Sequence, residues 1–293
     1  ERKTLDKRTK TSTWFPSAQL PDPNSACLLV SGGKIVQFEP RKSEALQLLP
    51  PVPREIVVGE EEGTVSQFDA FYRRLGQSFR DAKWGKDKAW IAAVMRREAG
   101  GEILIVQQLD SDEPPQAIVA GEKVDFDVYP NRNGLVFSVV GFEFPDRDQI
   151  PPEFIVNGKI TKPFENAVGI VDFDKGGSQP PIAYSNDEKV VFTNPRISPD
   201  GNTLLMLVGS NVDEVMKVES LVVLPAEPGG SSSVARLLDA EVSQASWGPD
   251  NHTITYIRSE NGHRAVWTIG KDGSGEKNLT GDRGDFSQPT MSP

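Results

Sequence analysis

The sequence predicts an all-β fold of about five to six four-stranded antiparallel sheets. Three observations carry this. Short apolar runs alternate with turns rich in Gly, Pro, Asn and Asp along most of the 293 residues, the pattern of antiparallel strands. One stretch, Asn194-Pro195-Arg196-Ile197-Ser198-Pro199-Asp200-Gly201-Asn202-Thr203-Leu204-Leu205-Met206-Leu207, recurs in outline along the chain. Its equivalent positions, Trp84, Tyr129, Ile197, Trp247 and Met291, fall at intervals of 45, 68, 50 and 44 residues. A unit of about 40–45 residues with four short strands cannot bury both faces alone, and it does so when stacked radially on its neighbours, which makes a β-propeller.

The opening stretch shows why each hairpin forms. In Ser198-Pro199-Asp200-Gly201, Pro presets φ, Asp accepts from its own backbone, and Gly takes φ > 0 without steric cost. Earlier in the chain, Cys27–Val30, Lys34–Phe38 and Ala45–Leu49 are short strands separated by Gly32-Gly33 and polar residues. Pro50-Pro51-Val52-Pro53 then breaks the rhythm. Val65, Phe68, Phe71, Tyr72 and Leu75 follow at roughly helical spacing, compatible with a short helix or an irregular outer strand.

From residue 80 the repeat is regular. Trp90–Met95, Glu102–Leu109 and Gln116–Val119 follow Trp84. Val124–Tyr129, Leu135–Val140 and Val168–Phe173 form the next copy, interrupted by an insertion from Phe142 to about Glu165. Ser220–Leu224 and Val234–Leu238 complete the copy around Ile197. Thr253–Arg258, Ala265–Ile269 and Lys277–Thr280 complete the last full one. Five units start near residues 14, 81, 124, 192 and 243. Pro289–Pro293 reads as one more first strand, which closes the first unit or opens a sixth. The predicted organisation is a flexible, basic arm over residues 1–13 and a single propeller domain over 14–293.

Composition limits the function classes. With 37% hydrophobic and 25% charged residues a packed core is expected. A formal charge of -10 argues against a nucleic-acid partner, which needs a basic face. No apolar run approaches the roughly 20 residues of a membrane helix. The single cysteine, Cys27, rules out an intrachain disulfide and reads as a small buried hydrophobe. The chain begins at Glu1 without Met, compatible with a removed signal peptide, a lipid anchor ahead of Glu1 or an expression boundary.

Ile197-Ser198-Pro199-Asp200-Gly201, and Trp247-Gly248-Pro249-Asp250 ending in Lys277-Asn278-Leu279-Thr280, resemble the blades of TolB-like β-propellers, the PD40 repeat. The resemblance is good over 190–293, fair over 80–190 and weak before 80. It implies the fold. For function it implies a range, because such blades serve envelope scaffolds, substrate-filtering domains of peptidases and many binding proteins.

No catalytic signature emerges. His252 and His263, the only histidines, read as exposed turn residues. There is no G-x-S-x-G elbow and no glycine-rich phosphate loop. Asp172-Phe173-Asp174-Lys175-Gly176 has Ala183 where a calcium loop needs its bidentate acid, so it reads as a turn. Arg283-Gly284-Asp285 reads as a loop between blades. Asn251-His252-Thr253 and Asn278-Leu279-Thr280 fit glycosylation acceptors but fall where turns need Asn and Thr. Trp84 and Trp247 sit where a large apolar residue packs between blades. Neither a catalytic residue, a metal ligand nor a cofactor is expected.

The expected function is a non-catalytic scaffold of the cell envelope, periplasmic or extracytoplasmic, binding protein partners in a membrane-associated complex. The alternatives are a propeller that filters substrate for a peptidase and one that binds a sugar or small molecule. Recognition in a propeller falls to loops and insertions. The candidate binding residues are therefore Phe142, Phe144, Asp146, Asp148 and Phe154 in the insertion, and Phe68, Phe71 and Tyr72 before residue 75. Apolar anchors in a polar rim describe a protein-binding patch; equally, the aromatics could cap their own blade.

Overall fold

The computed structural model describes residues 12–14, 26–39, 44–50, 78–98, 100–111, 113–146, 150–212, 215–228, 235–238, 242–260, 262–281, 284–287, 289 and 291. Phe68, Phe71, Tyr72, Asp148 and residues 1–11 of the expected arm lie outside them. The chain groups into two compact units, residues 1–118 and 119–293.

The first unit carries two sheets. One has the order β1 (Ser12–Trp14), β2 (Cys27–Ser31), β3 (Lys34–Glu39) and β4 (Glu44–Leu49). Ser12 and Thr13, expected in the arm, are thus paired with Ser31 and Val30. The other runs β5 (Ser78–Trp84), β6 (Trp90–Arg96), β7 (Glu102–Gln108) and β8 (Gln116–Gly121). Within this unit the Phe79 N–H donates to the Gly33 carbonyl at 2.9 Å, joining the sheets. The run from Trp90 to Met95 is buried at every residue, as a strand covered on both faces must be.

The second unit carries three sheets. The first orders β9 (Lys123–Val128), β10 (Gly134–Val140) and β13 (Asn166–Asp172), and its outer position is shared by β14 (Gly177–Ser178) and β15 (Ala183–Ser185), both paired to β13. The second orders β16 (Val190–Ile197), β17 (Thr203–Val212), β18 (Val215–Pro225) and β19 (Ala235–Leu238). The third orders β20 (Val242–Trp247), β21 (Thr253–Glu260), β22 (His263–Gly270) and β23 (Lys277–Asn278). The hairpin β11 (Ile155–Val156) and β12 (Lys159–Ile160) stands apart in the insertion.

The period of two explains how these sheets stack. Leu204, Met206, Val222 and Leu224 of the middle sheet join Tyr129, Val136, Val168 and Ile170 in one core. Their neighbours Leu205, Leu207, Leu221 and Val223 turn the other way, onto Trp247, Ile254, Tyr256 and Ile269. An unbroken Leu-Leu-Met-Leu run is therefore correct for this strand, and each fully buried side chain stabilises by about 1.5–3 kcal/mol.

First strands lie beside first strands. Asp127 accepts the Ile197 N–H at 2.9 Å, Asn194 Nδ2 donates to the Ala245 carbonyl at 2.8 Å, and Trp247 Nε1 donates to the Arg196 carbonyl at 2.9 Å. Each of β16 and β20 carries a register shift, with Asn194 (φ 53°) and Gln244 (φ 52°) left-handed, the mark of a β-bulge. The Ser246 hydroxyl donates to the Pro289 carbonyl at 2.7 Å, which places Pro289 against β20. Pro289 and Met291 are in no strand. The other residues of the strand expected over Pro289–Pro293 lie outside the described residues.

Candidate protein-binding surface

The insertion leaves the sheet at Gly141, whose φ of +62° turns the chain at the end of β10. Its two ends are stitched together where the Phe142 N–H donates to the Glu165 carbonyl at 2.8 Å, and the Glu143 N–H is held by the Ala120 carbonyl of β8 at 2.8 Å. Asn166, 1% exposed, locks this neck. Its Oδ1 accepts the Gly141 N–H at 2.9 Å, while its Nδ2 donates to the Val190 carbonyl at 2.7 Å. Lys162 and Glu165 pair at 2.9 Å beside it.

Within the neck four phenylalanines form a chain of ring contacts. Phe142 meets Phe164 edge-on at 4.9 Å and Phe144 at 5.1 Å, and Phe144 meets Phe154 at 5.4 Å. These are the spacings at which aromatic pairs attract beyond their area. Phe142 is buried, and Phe144, Phe154 and Phe164 are half-buried. Of the predicted residues the structure thus brings together Phe142, Phe144 and Phe154; Asp146 lies half-buried in the same segment.

The rings support the hairpin. A 3-10 turn, Pro152–Phe154, ends in the Phe154 carbonyl, which accepts both the N–H and the hydroxyl of Thr161 at 2.8 and 3.1 Å. Asn157 (φ 52°) and Gly158 (φ 73°) make the two-residue turn, the Asn-Gly pair that matches the twist of a hairpin. Ile155 pairs directly with Ile160, so both point to one face, and Val156 pairs with Lys159 on the other. Ile155, Val156 and Ile160 are 48%, 49% and 55% exposed. Two opposed isoleucines in water on a short, anchored hairpin have no folding reason to be apolar.

Sequence reasoning singled out Phe142, Phe144 and Phe154 but not Phe164, Val156, Ile160 or the hairpin. The signal was Asn157-Gly158 between apolar flanks. Asn166 carried none, since its partners are 24 and 25 residues away.

The other candidate residues are engaged in structure. Cys27 is buried, and its Sγ–H donates to the Phe38 carbonyl at 3.6 Å; burial pushes the thiol pKa up. Asp172 accepts the Asp174 N–H and approaches Lys175 at 3.4 Å, as a turn requires. Asp285 accepts the Arg264 N–H at 3.0 Å. His252 and His263 are exposed. No group of three or more His, Cys, Asp or Glu side chains is placed to hold a metal among the described residues. No helix of the described residues is long and apolar enough to cross a membrane.

Strand order and stacking within these sheets define the blades of a β-propeller. No family model and no curated protein matches the sequence. Among solved structures the chain is similar to a putative TolB from Agrobacterium tumefaciens, with a TM-score of 0.53 and 13% identity over 86% of this chain and 76% of that one. It is also similar to an oligogalacturonate lyase in complex with manganese, with a TM-score of 0.53 and 12% identity over 88% and 62%. An oligogalacturonate lyase from Vibrio parahaemolyticus gives a TM-score of 0.52 and 14% identity over 87% and 61%. The chain therefore spans less than two thirds of the length of either lyase. The fold is that of the TolB-like β-propellers. At such identities the likeness carries the fold alone.

Proposed function

We propose that the chain is a non-catalytic protein-binding scaffold of the cell envelope that docks its partner through the hairpin of the insertion. The observation that carries this is the exposure of Ile155, Val156 and Ile160 above a packed phenylalanine base. Apolar anchors on a rigid support lose little conformational freedom on binding, and that leaves more of their burial as affinity. Phe142, Phe144 and Phe154 serve here as the base that presents the anchors. Glu153, Lys159 and Lys162, all exposed, supply the polar rim.

The partner is a protein with an apolar groove sized for two adjacent isoleucines, within a membrane-associated assembly outside the cytoplasm. The TolB-like fold supports the envelope setting. The acidic charge of -10 speaks against nucleic acid. The test is affinity capture from envelope fractions with wild-type chain and with Ile155→Ser/Ile160→Ser. A partner retained by the wild type and lost by the variant supports the proposal; one retained equally by both removes the hairpin from it.

A further inference from the structure

The hairpin of the insertion has two edges, and one of them is open. The Thr161 N–H donates to the Phe154 carbonyl at 2.8 Å, which makes Phe154 and Thr161 a hydrogen-bonded pair. Bonded and non-bonded pairs alternate along an antiparallel ladder. Ile155 and Ile160, the next pair, are therefore non-bonded to each other, and they turn their backbone groups outward on opposite edges. On the β11 edge the Ile155 N–H is already engaged: it donates to the Pro152 carbonyl and closes the 3-10 turn. Pro152 itself has no N–H to offer a ladder. On the β12 edge the Ile160 N–H and carbonyl have no partner among the described residues.

A strand edge with an unused donor and acceptor beside exposed apolar side chains is a template for another strand. The charges on the edge select which one. Lys162 is paired with Glu165 at 2.9 Å. Lys159, on the face opposite Ile160, is exposed and enters no ion pair among the described residues. A second copy of the chain would add a second Lys159 to that face, and like charges across a ladder are destabilising. An acidic strand meets the opposite situation and gains a cross-strand pair.

We propose that the hairpin takes its partner by strand addition: an extended, acidic segment of the partner protein pairs with β12, with an apolar residue opposite Ile160 and an acidic residue opposite Lys159. This rests on the docking proposal and deepens it, because the added strand forms one wall of the groove around the isoleucines. In that register the facing residue exchanges both backbone bonds with Ile160, N–H to carbonyl and carbonyl to N–H. Its side chain falls on the face of Ile155 and Ile160, since opposed residues share a face. The apolar row then crosses the hairpin and the added strand, while the neighbouring acid lies beside Lys159 on the other face. Main-chain bonds supply affinity, and the alternating side chains supply choice of partner.

The experiment is a fluorescence-anisotropy titration of the full chain into a labelled, end-blocked peptide, Glu-Val-Glu-Ile-Glu-Val-Glu. Two further peptides are N-methylated, one on its Val and Ile amides and the other on its Glu amides. The unmodified peptide is expected to bind saturably below about 1 mM. Methylation of the Val and Ile amides, which face β12, weakens binding by about tenfold. Methylation of the Glu amides, which face away, leaves binding close to that of the unmodified peptide. Lys159→Glu weakens the acidic peptide by about threefold and favours its counterpart with Lys in place of Glu. Strand addition is overturned by no saturable binding below about 1 mM, by equal binding of the two methylated peptides, or by an unchanged charge preference in Lys159→Glu. It is also overturned if light scattering shows a dimer that Ile155→Ser/Ile160→Ser dissolves, which assigns the edge to a second copy. The docking proposal is decided separately by the capture assay: a partner lost with Ile155→Ser/Ile160→Ser, alongside equal binding of the methylated peptides, leaves docking through side chains alone.

Discussion

The Asp200 N–H donates to Asn251 Oδ1 at 2.7 Å, joining the same turn in two successive sheets. On its other side Asp200 offers its carbonyl to Asn131 Nδ2 at 2.8 Å. One Pro-Asp-Gly turn therefore ties its sheet to both neighbours. Its own carboxylate, accepting the Ser198 hydroxyl at 2.6 Å and the Asn202 N–H at 3.0 Å, keeps it in shape.

Gly201 follows in that turn with φ +78°, and a Cβ there would stand 2.3 Å from the Asn131 amide. Strain and displacement act together. Gly201→Val is expected to lower stability by about 1–3 kcal/mol, measured by urea denaturation. A loss under about 0.3 kcal/mol means the turn relaxes without cost.

These turns also set a pH dependence. The Thr253 hydroxyl and backbone N–H groups hold the Asp250 carboxyl down to about 2, and the Ser198 hydroxyl and the Asn202 N–H depress Asp200. A carboxyl depressed in the folded state adds stability that is present above its unfolded value near 4 and is lost as pH falls through the folded one. Stability is expected to drop between about pH 4 and pH 2. Asp250→Asn flattens that part of the profile. An unaltered acid slope in the variant assigns the acid sensitivity elsewhere.

Asn166→Ala removes the lock on the insertion's neck. It leaves the Gly141 N–H and the Val190 carbonyl, both at half-buried residues, without this partner, and such orphaned groups cost at most about 1–3 kcal/mol each. Amide hydrogen exchange in residues 141–165 should accelerate before the rest of the second unit. Uniform protection in that segment would contradict the clamp.

How much the sequence showed depended on range. Trp84, Tyr129, Ile197 and Trp247 marked the sheets because their environment repeats with the chain, and the Ser-Pro-Asp-Gly turn acts within four residues. The split outer position, β14 and β15, begins at the Gly176-Gly177 turn, whose residues are both left-handed at φ 87° and 103°; the double glycine was visible but the division of the strand was not. In the insertion the aromatic content was legible and its direction was not. Which of Phe154 and Ile155 turns inward depends on a 3-10 turn and a two-residue hairpin, and apolar content alone does not distinguish them. The tie from Asn166 to Val190 spans 24 residues, which no local pattern encodes.

The docking proposal concerns surface rather than stability, and that separates it from every prediction above. Ile155→Ser/Ile160→Ser exchanges two exposed apolar side chains on a hairpin whose turn and base are untouched. The direct measurement is the affinity of the partner captured from the envelope, wild type against double variant, by surface plasmon resonance, with melting temperatures taken alongside. The account predicts a loss of affinity of tenfold or more, about 1.4 kcal/mol, with the melting temperature unchanged within about 1 °C. Equal affinity at equal stability would contradict it.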